Sequence, residues 1–207
     1  MTEDEGRTTI TQDDRLSSLV PHPSSALVIG LGNPILGDDG VGWCVAEEVK
    51  QRLRNAECGM QIAECGMQIA DCSDQSKIKN PQSEIDIDCV SLGGLGLMER
   101  MLGYDHVILI DAMTTGQRPV GSVMRLALED LPDLSAGHTA SAHDTSLPTA
   151  LQVGRAMGAH LPDRVMVVAV ETESAYDFSE ALTPPVAVAV PHAADLVIQA
   201  LRERAFL

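Results

Sequence analysis

The chain has 207 residues, 44% hydrophobic but only 2% aromatic, and a formal net charge of -16 at pH 7. The length and apolar share suit one domain with a core built from aliphatic side chains. So acidic a surface repels phosphate backbones and anionic lipid, which argues against nucleic-acid and membrane partners and in favour of a basic partner or a cation.

No run of about 20 apolar residues marks a membrane span. The opening Met1-Thr2-Glu3-Asp4-Glu5 lacks the basic start and apolar middle of a signal peptide, so a cytoplasmic location is expected. The five cysteines, Cys44, Cys58, Cys65, Cys72 and Cys89, are odd in number and show no CxxC spacing. That argues against a disulfide framework or a structural zinc site.

Residues 1–25 are polar, contain Pro21 and Pro23 and show no periodicity, which predicts a mobile tail. From Ala26 the pattern becomes regular, and residues 26–207 are expected to form a single α/β domain. Ala26–Leu31 reads as a strand broken by Gly32-Asn33-Pro34, followed by the adjacent carboxylates Asp38 and Asp39. A helix is predicted from Gly40 to Arg54, with Val41, Cys44, Val45, Val49 and Leu53 on its buried face and one of the two acids at its N-cap.

Ala56–Ile62 is repeated without change as Ala63–Ile69. Gly59 and Gly66 weaken a helix there, so the copy is read as part of an insertion over residues 56–82. It spaces Cys58, Cys65 and Cys72 seven apart, but a soft-metal site needs convergent ligands as well as spacing.

Residues 84–91 alternate apolar and acidic side chains, as an edge strand would. Gly93-Gly94-Leu95-Gly96 turns into a short helix at 97–102. His106–Ala112 is a near-continuous apolar run, hence a central strand, with Asp111 at its carboxyl end. Gly121–Leu126 is expected as a strand near an edge. A loop over 128–144 carries His138 and His143, and a helix follows from 145 to 157. Arg164–Val170 reads as the fifth strand, and Pro184-Pro185 opens the last helix, to about 204. The alternation predicts a mostly parallel five-stranded twisted sheet with helices on both faces, a three-layer α/β fold of the phosphorylase/hydrolase-like kind.

A parallel sheet brings Asp38/Asp39, Asp111 and His143 to one edge. Two carboxylates and an imidazole form a mixed oxygen/nitrogen set suited to Ni, Zn, Co or Fe with open positions left over. Each residue also has an ordinary explanation, as a helix cap, a turn former or a solvated side chain. A Ser/His/Asp hydrolase using Ser141 or Ser146 beside His143 lacks a G-x-S-x-G elbow. Cys/His catalysis lacks a thiol at a strand end. The G-x-G-x-x-G phosphate fingerprint is absent, and two acids stand where a pyrophosphate would lie.

Gly30-x-Gly32-Asn33-Pro34, Gly37-Asp38-Asp39-Gly40-Val41-Gly42, Val107–Ala112, Ser141-Ala142-His143-Asp144 and Leu182-Thr183-Pro184, in that order, resemble the hydrogenase maturation proteases over residues 26–203. The resemblance implies an endopeptidase that removes a C-terminal extension from a [NiFe] hydrogenase large-subunit precursor after nickel insertion and recognises the nickel the precursor carries. It implies metal contacts at Asp39, Asp111 and His143, with Asp38 able to share or replace the role of Asp39. The nickel-loaded precursor is then the partner. Leu95 stands where the family often carries a threonine, and the tail and the 56–69 duplication lie outside the family pattern.

Two rivals are a peptidyl-tRNA hydrolase-like enzyme, which shares the Gly-Leu-Gly-Asn-Pro opening, and a checkpoint module that senses metal in a partner without cutting it. The first lacks its expected histidine after the opening and carries the wrong charge for tRNA.

Overall fold

The computed structural model describes residues 26–64, 85–130, 146–173 and 178–203. The tail at 1–25 and most of the 56–82 stretch lie outside the described residues. Five strands, β1 (Ala26–Leu31), β2 (Ile85–Val90), β3 (His106–Met113), β4 (Val123–Ala127) and β5 (Arg164–Glu171), form one sheet in the order β2-β1-β3-β5-β4. Four run parallel; β4 pairs antiparallel to β5 at the edge. The helices are α1 (Val41–Glu64), α2 (Gly94–Arg100), α3 (Leu147–Ala156) and α4 (Pro184–Glu203). This is the three-layer α/β arrangement the alternation predicts.

Strand side chains alternate between two cores. Val28, Ile108, Ile110, Val168 and Val170 meet Val41, Val45 and Val49 of α1 and Val186, Ala193 and Val197 of α4. Leu27, Ile29, Val107, Leu109 and Val167 meet Leu97 and Met101 beside α2, and Leu151 of α3. β3 is therefore apolar on both faces because both are covered. α4 is long and apolar enough to cross a membrane by composition alone. Its inward residues Val186, Ala193 and Val197 pack on the sheet with α1, while Val188 is exposed.

The polar positions of β2 also find partners: Asp86 accepts from the Tyr104 hydroxyl at 2.7 Å, and Asp88 pairs with Arg100.

Three boundaries differ from the sequence reading. α1 continues ten residues beyond Arg54, through the first copy of the duplicated heptad to Glu64. A single Gly59 costs about 1 kcal/mol in a helix, which the neighbouring Ala, Glu, Met and Gln residues tolerate. α2 begins earlier than expected, at Gly94, whose φ is +50°. β5 extends to Glu171, which the sequence places in a polar connection.

The connection β1-α1-β2 leaves β1 in one direction, and β2-α2-β3 crosses back over it to the other side. The order reverses between β1 and β3, and it is at the carboxyl ends of the strands beside such a reversal that open α/β sheets bind ligands.

Candidate active site

A turn of 3-10 helix, Gly37–Gly40, links the end of β1 to α1 and carries both acids. Three glycines let this segment lie flat on the sheet. A Cβ on Gly42 would sit 2.2 Å from the Leu31 carbonyl oxygen and 2.5 Å from that of Ile110. A Cβ on Gly30 would meet the Gly42 carbonyl oxygen at 2.4 Å. Gly32 has a φ of +113°, and its absent side chain would strike the backbone of Asp39. The start of α1 thus touches β1 and β3 directly, which brings its leading acids to the carboxyl ends of these strands.

The two acids have separate fates. Asp38 is buried, and its carboxylate accepts from Thr183 N–H at 2.7 Å and from the Thr183 hydroxyl at 2.8 Å. Thr183 is the residue before α4, and its carbonyl takes the first helical bond from Ala187. Asp38 therefore fastens the acidic turn to α4. It does not share the outward role of its neighbour. Neither acid caps α1 with its side chain; the turn itself leads into the helix.

Asp39 is exposed. Its Oδ2 accepts from Asn33 N–H at 2.6 Å. The Asn33 side chain in turn accepts from Ile35 N–H at 3.2 Å. Ser91, at the end of β2, donates its hydroxyl to the Gly32 carbonyl at 2.5 Å and steadies the loop from the other side.

Asp111 lies on β3 one residue past the β1 pairing, opposite Ala169 of β5. The strand runs on to Met113, so the acid stands just short of the strand end. Its Oδ1 accepts from Ala112 N–H at 2.9 Å. Burial pushes the Asp111 carboxyl up to about 6; the Ala112 bond opposes the rise, and the negative charge of Asp39 adds to it. The structure thus brings Asp39 and Asp111 within electrostatic reach at one rim, half-open to solvent. Two carboxylates within electrostatic reach of each other favour a nearby cation.

His143 lies outside the described residues. Ser146, three residues later, caps α3 by accepting from Thr149 N–H at 3.4 Å. α3 runs back toward the start of β5, so its N-terminal end faces the carboxyl side of the sheet. The capping role also removes Ser146 from the list of nucleophile candidates. Among the described residues, no group of three His, Cys, Asp or Glu side chains converges as a metal site. Asp39 and Asp111 supply two hard oxygen donors, a fit for part of a divalent-metal shell.

Sequence reasoning missed the residues that support the site. Glu171 is fully buried at the end of β5. It accepts from Thr115 N–H at 2.8 Å, the Thr115 hydroxyl at 2.7 Å and Gly116 N–H at 2.8 Å. Burial raises its carboxyl, but these donors and Arg118 outweigh burial and hold it below the usual range. Glu171 thereby fixes the β3–β4 turn beyond Asp111. The one legible signal was an acid ending an apolar strand run.

Two surface hollows lie away from both acids, about 470 Å³ beside Arg52 and Asp195 and about 610 Å³ beside Arg125 and Arg164.

A family model described as hydrogenase maturation protease matches residues 77–200. The hydrogenase 2 maturation protease of Escherichia coli (strain K12) is 28% identical over 177 residues, 86% of this chain and 90% of that protein. The solved structure of the hydrogenase maturating endopeptidase HybD from E. coli matches with a TM-score of 0.61 at 25% identity, covering 87% of this chain and 94% of its own. A [NiFe] hydrogenase maturation protease HycI from Thermococcus kodakarensis KOD1 shares the fold, with a TM-score of 0.54 at 16% identity over 91% of this chain and 99% of that one.

Proposed function

Because the chain belongs to the hydrogenase maturation protease family, we propose that it is a cytoplasmic endopeptidase that removes the C-terminal extension of a [NiFe] hydrogenase large-subunit precursor once nickel is in place. The observation that supports this reading is the negative charge of Asp39 acting on Asp111 where the strand order reverses between β1 and β3. The nickel belongs to the substrate. Asp39, Asp111 and His143 grip it and so set the scissile bond against the rim. Only a loaded precursor presents the cation that relieves the repulsion between the two acids, which makes cleavage depend on nickel. Nickel held there would supply Lewis-acid chemistry at the scissile carbonyl, and Asp39 or Asp111 beside it would take the proton of an attacking water.

The test uses purified protein with nickel-loaded and metal-free precursor, read by mass spectrometry. Release of a C-terminal fragment from the loaded form alone, abolished by Asp39→Ala, Asp111→Ala and His143→Ala, is the expected result. Equal cleavage of the metal-free precursor would remove nickel recognition. Binding of the loaded form without cleavage would make the protein a checkpoint instead.

A further inference from the structure

The whole chain holds two Phe, two Tyr and one Trp. Tyr104 is bonded to Asp86, and Trp43 is partly buried with its indole N–H on the Val90 carbonyl. Phe178, by contrast, is 85% exposed, and Ile35 is 48% exposed. A chain so poor in aromatic residues places one of them in water.

The position is fixed. Leu36 and Ser179 form a parallel bridge, with Gly37 N–H donating to the Ser179 carbonyl at 2.6 Å and Ser179 N–H to the Ile35 carbonyl at 3.1 Å. By this register Ile35 and Phe178 take neighbouring positions across the bridge, both exposed. Asp39 follows at once, its N–H donating to the Leu36 carbonyl at 3.3 Å. Across the loop, Leu92 is 47% exposed next to Ser91, which is tied to Gly32.

We infer that Ile35 and Phe178 form a docking surface beside Asp39 that seats an apolar patch of the protein substrate next to the cation-gripping acids. The inference rests on the protease reading and deepens it. A carboxylate pair attracts any divalent cation without distinguishing its bearer; an apolar contact beside it supplies that distinction. The charge selects the occupant. Anionic lipid is repelled by a chain of net charge -16, whereas a protein carrying a cation within an apolar surround is complementary to both features.

The experiment compares wild type with Phe178→Ala, Ile35→Ser and the double variant. Cleavage rates are taken against nickel-loaded precursor concentration, precursor binding is followed by calorimetry, and self-association by sedimentation. Both side chains are exposed, so unchanged thermal unfolding confirms that each variant is folded. The double variant is expected to raise KM and weaken binding by about tenfold or more with kcat nearly unchanged, since truncating an anchor residue has effects of that order. Binding and KM that survive in the double variant overturn the inference while leaving the protease reading intact. So does loss of kcat alone. A wild-type dimer that Phe178→Ala turns into a monomer overturns it in favour of self-association. If wild type neither binds nor cleaves the loaded precursor, the protease reading fails and this inference with it.

Discussion

Asp111 is held in a setting that works against its own charge, and replacing it by Asn should stabilise the fold while abolishing cleavage. The ordinary carboxyl value of 3.8 rises to about 6 in the folded chain, first through burial and further through Asp39. The folded state therefore binds the Asp111 proton more tightly than the unfolded state does. Stability is highest below the unfolded value, declines as pH rises through the interval up to about 6, and stays reduced above it. The gap corresponds to about 3 kcal/mol, and solvent screening of a half-open group lowers this to about 2 kcal/mol.

An asparagine keeps the oxygen that accepts from Ala112 N–H and removes the charge. In metal-free buffer at pH 8, Asp111→Asn should raise Tm by about 4–8 °C, given about 2–4 °C per kcal/mol for a chain of this size. At pH 3 and below the gain should vanish, because the wild-type carboxyl is then largely neutral in both states. Thermal unfolding followed by circular dichroism across this range measures both limbs. A variant no more stable than wild type at pH 8, or a gain that does not change with pH, would refute the argument.

Other outcomes follow from the supports of the site. Asp38→Ala removes the buried carboxylate that accepts from Thr183 N–H and the Thr183 hydroxyl and should cost about 1–2 kcal/mol in urea unfolding, since water can reach the exposed Thr183. Thr183→Ala should cost less, since the backbone bond survives. Gly42→Ala drives a Cβ to 2.2 Å from the Leu31 carbonyl oxygen and should leave little folded protein in the soluble fraction. Gly93→Ala, with nothing within 4 Å, serves as the neutral comparison. Glu171→Gln should destabilise by about 1–3 kcal/mol at pH 7 by removing an ionised acceptor of three bonds. Because its carboxyl is held low, that difference should shrink as pH falls through the folded value; a constant difference down to pH 2 would show that the charge is irrelevant.

The sheet was legible because its signals are local. A run such as His106–Ala112 has no polar side to face water, so it must be central, and the acidic alternation of residues 84–91 marks an edge. The pairing of Asp39 with Asp111 was legible through topology, since parallel neighbours present their carboxyl ends to one rim. The division of labour between Asp38 and Asp39 was not. It depends on Thr183, 145 residues away, and nothing in either segment announces the other. Glu171 was misplaced for the same reason, its partners being 55 and 56 residues distant. The end of α1 was misjudged because Gly59 and Gly66 were weighed against a helix that ends at Glu64 and so contains only the first of them.

The length of α1 separates two ends of the molecule. Its first residues lie over the acids, and its 24 residues carry the chain about 36 Å away at 1.5 Å per residue. β2 then begins from that far side, at the amino ends of the strands. The chain thus leaves Glu64 and re-enters at Ile85 on the side of the sheet opposite Asp39 and Asp111. A fluorophore or affinity handle attached at Ile85 or Asp86 would sit at the far end of the strands from the two acids.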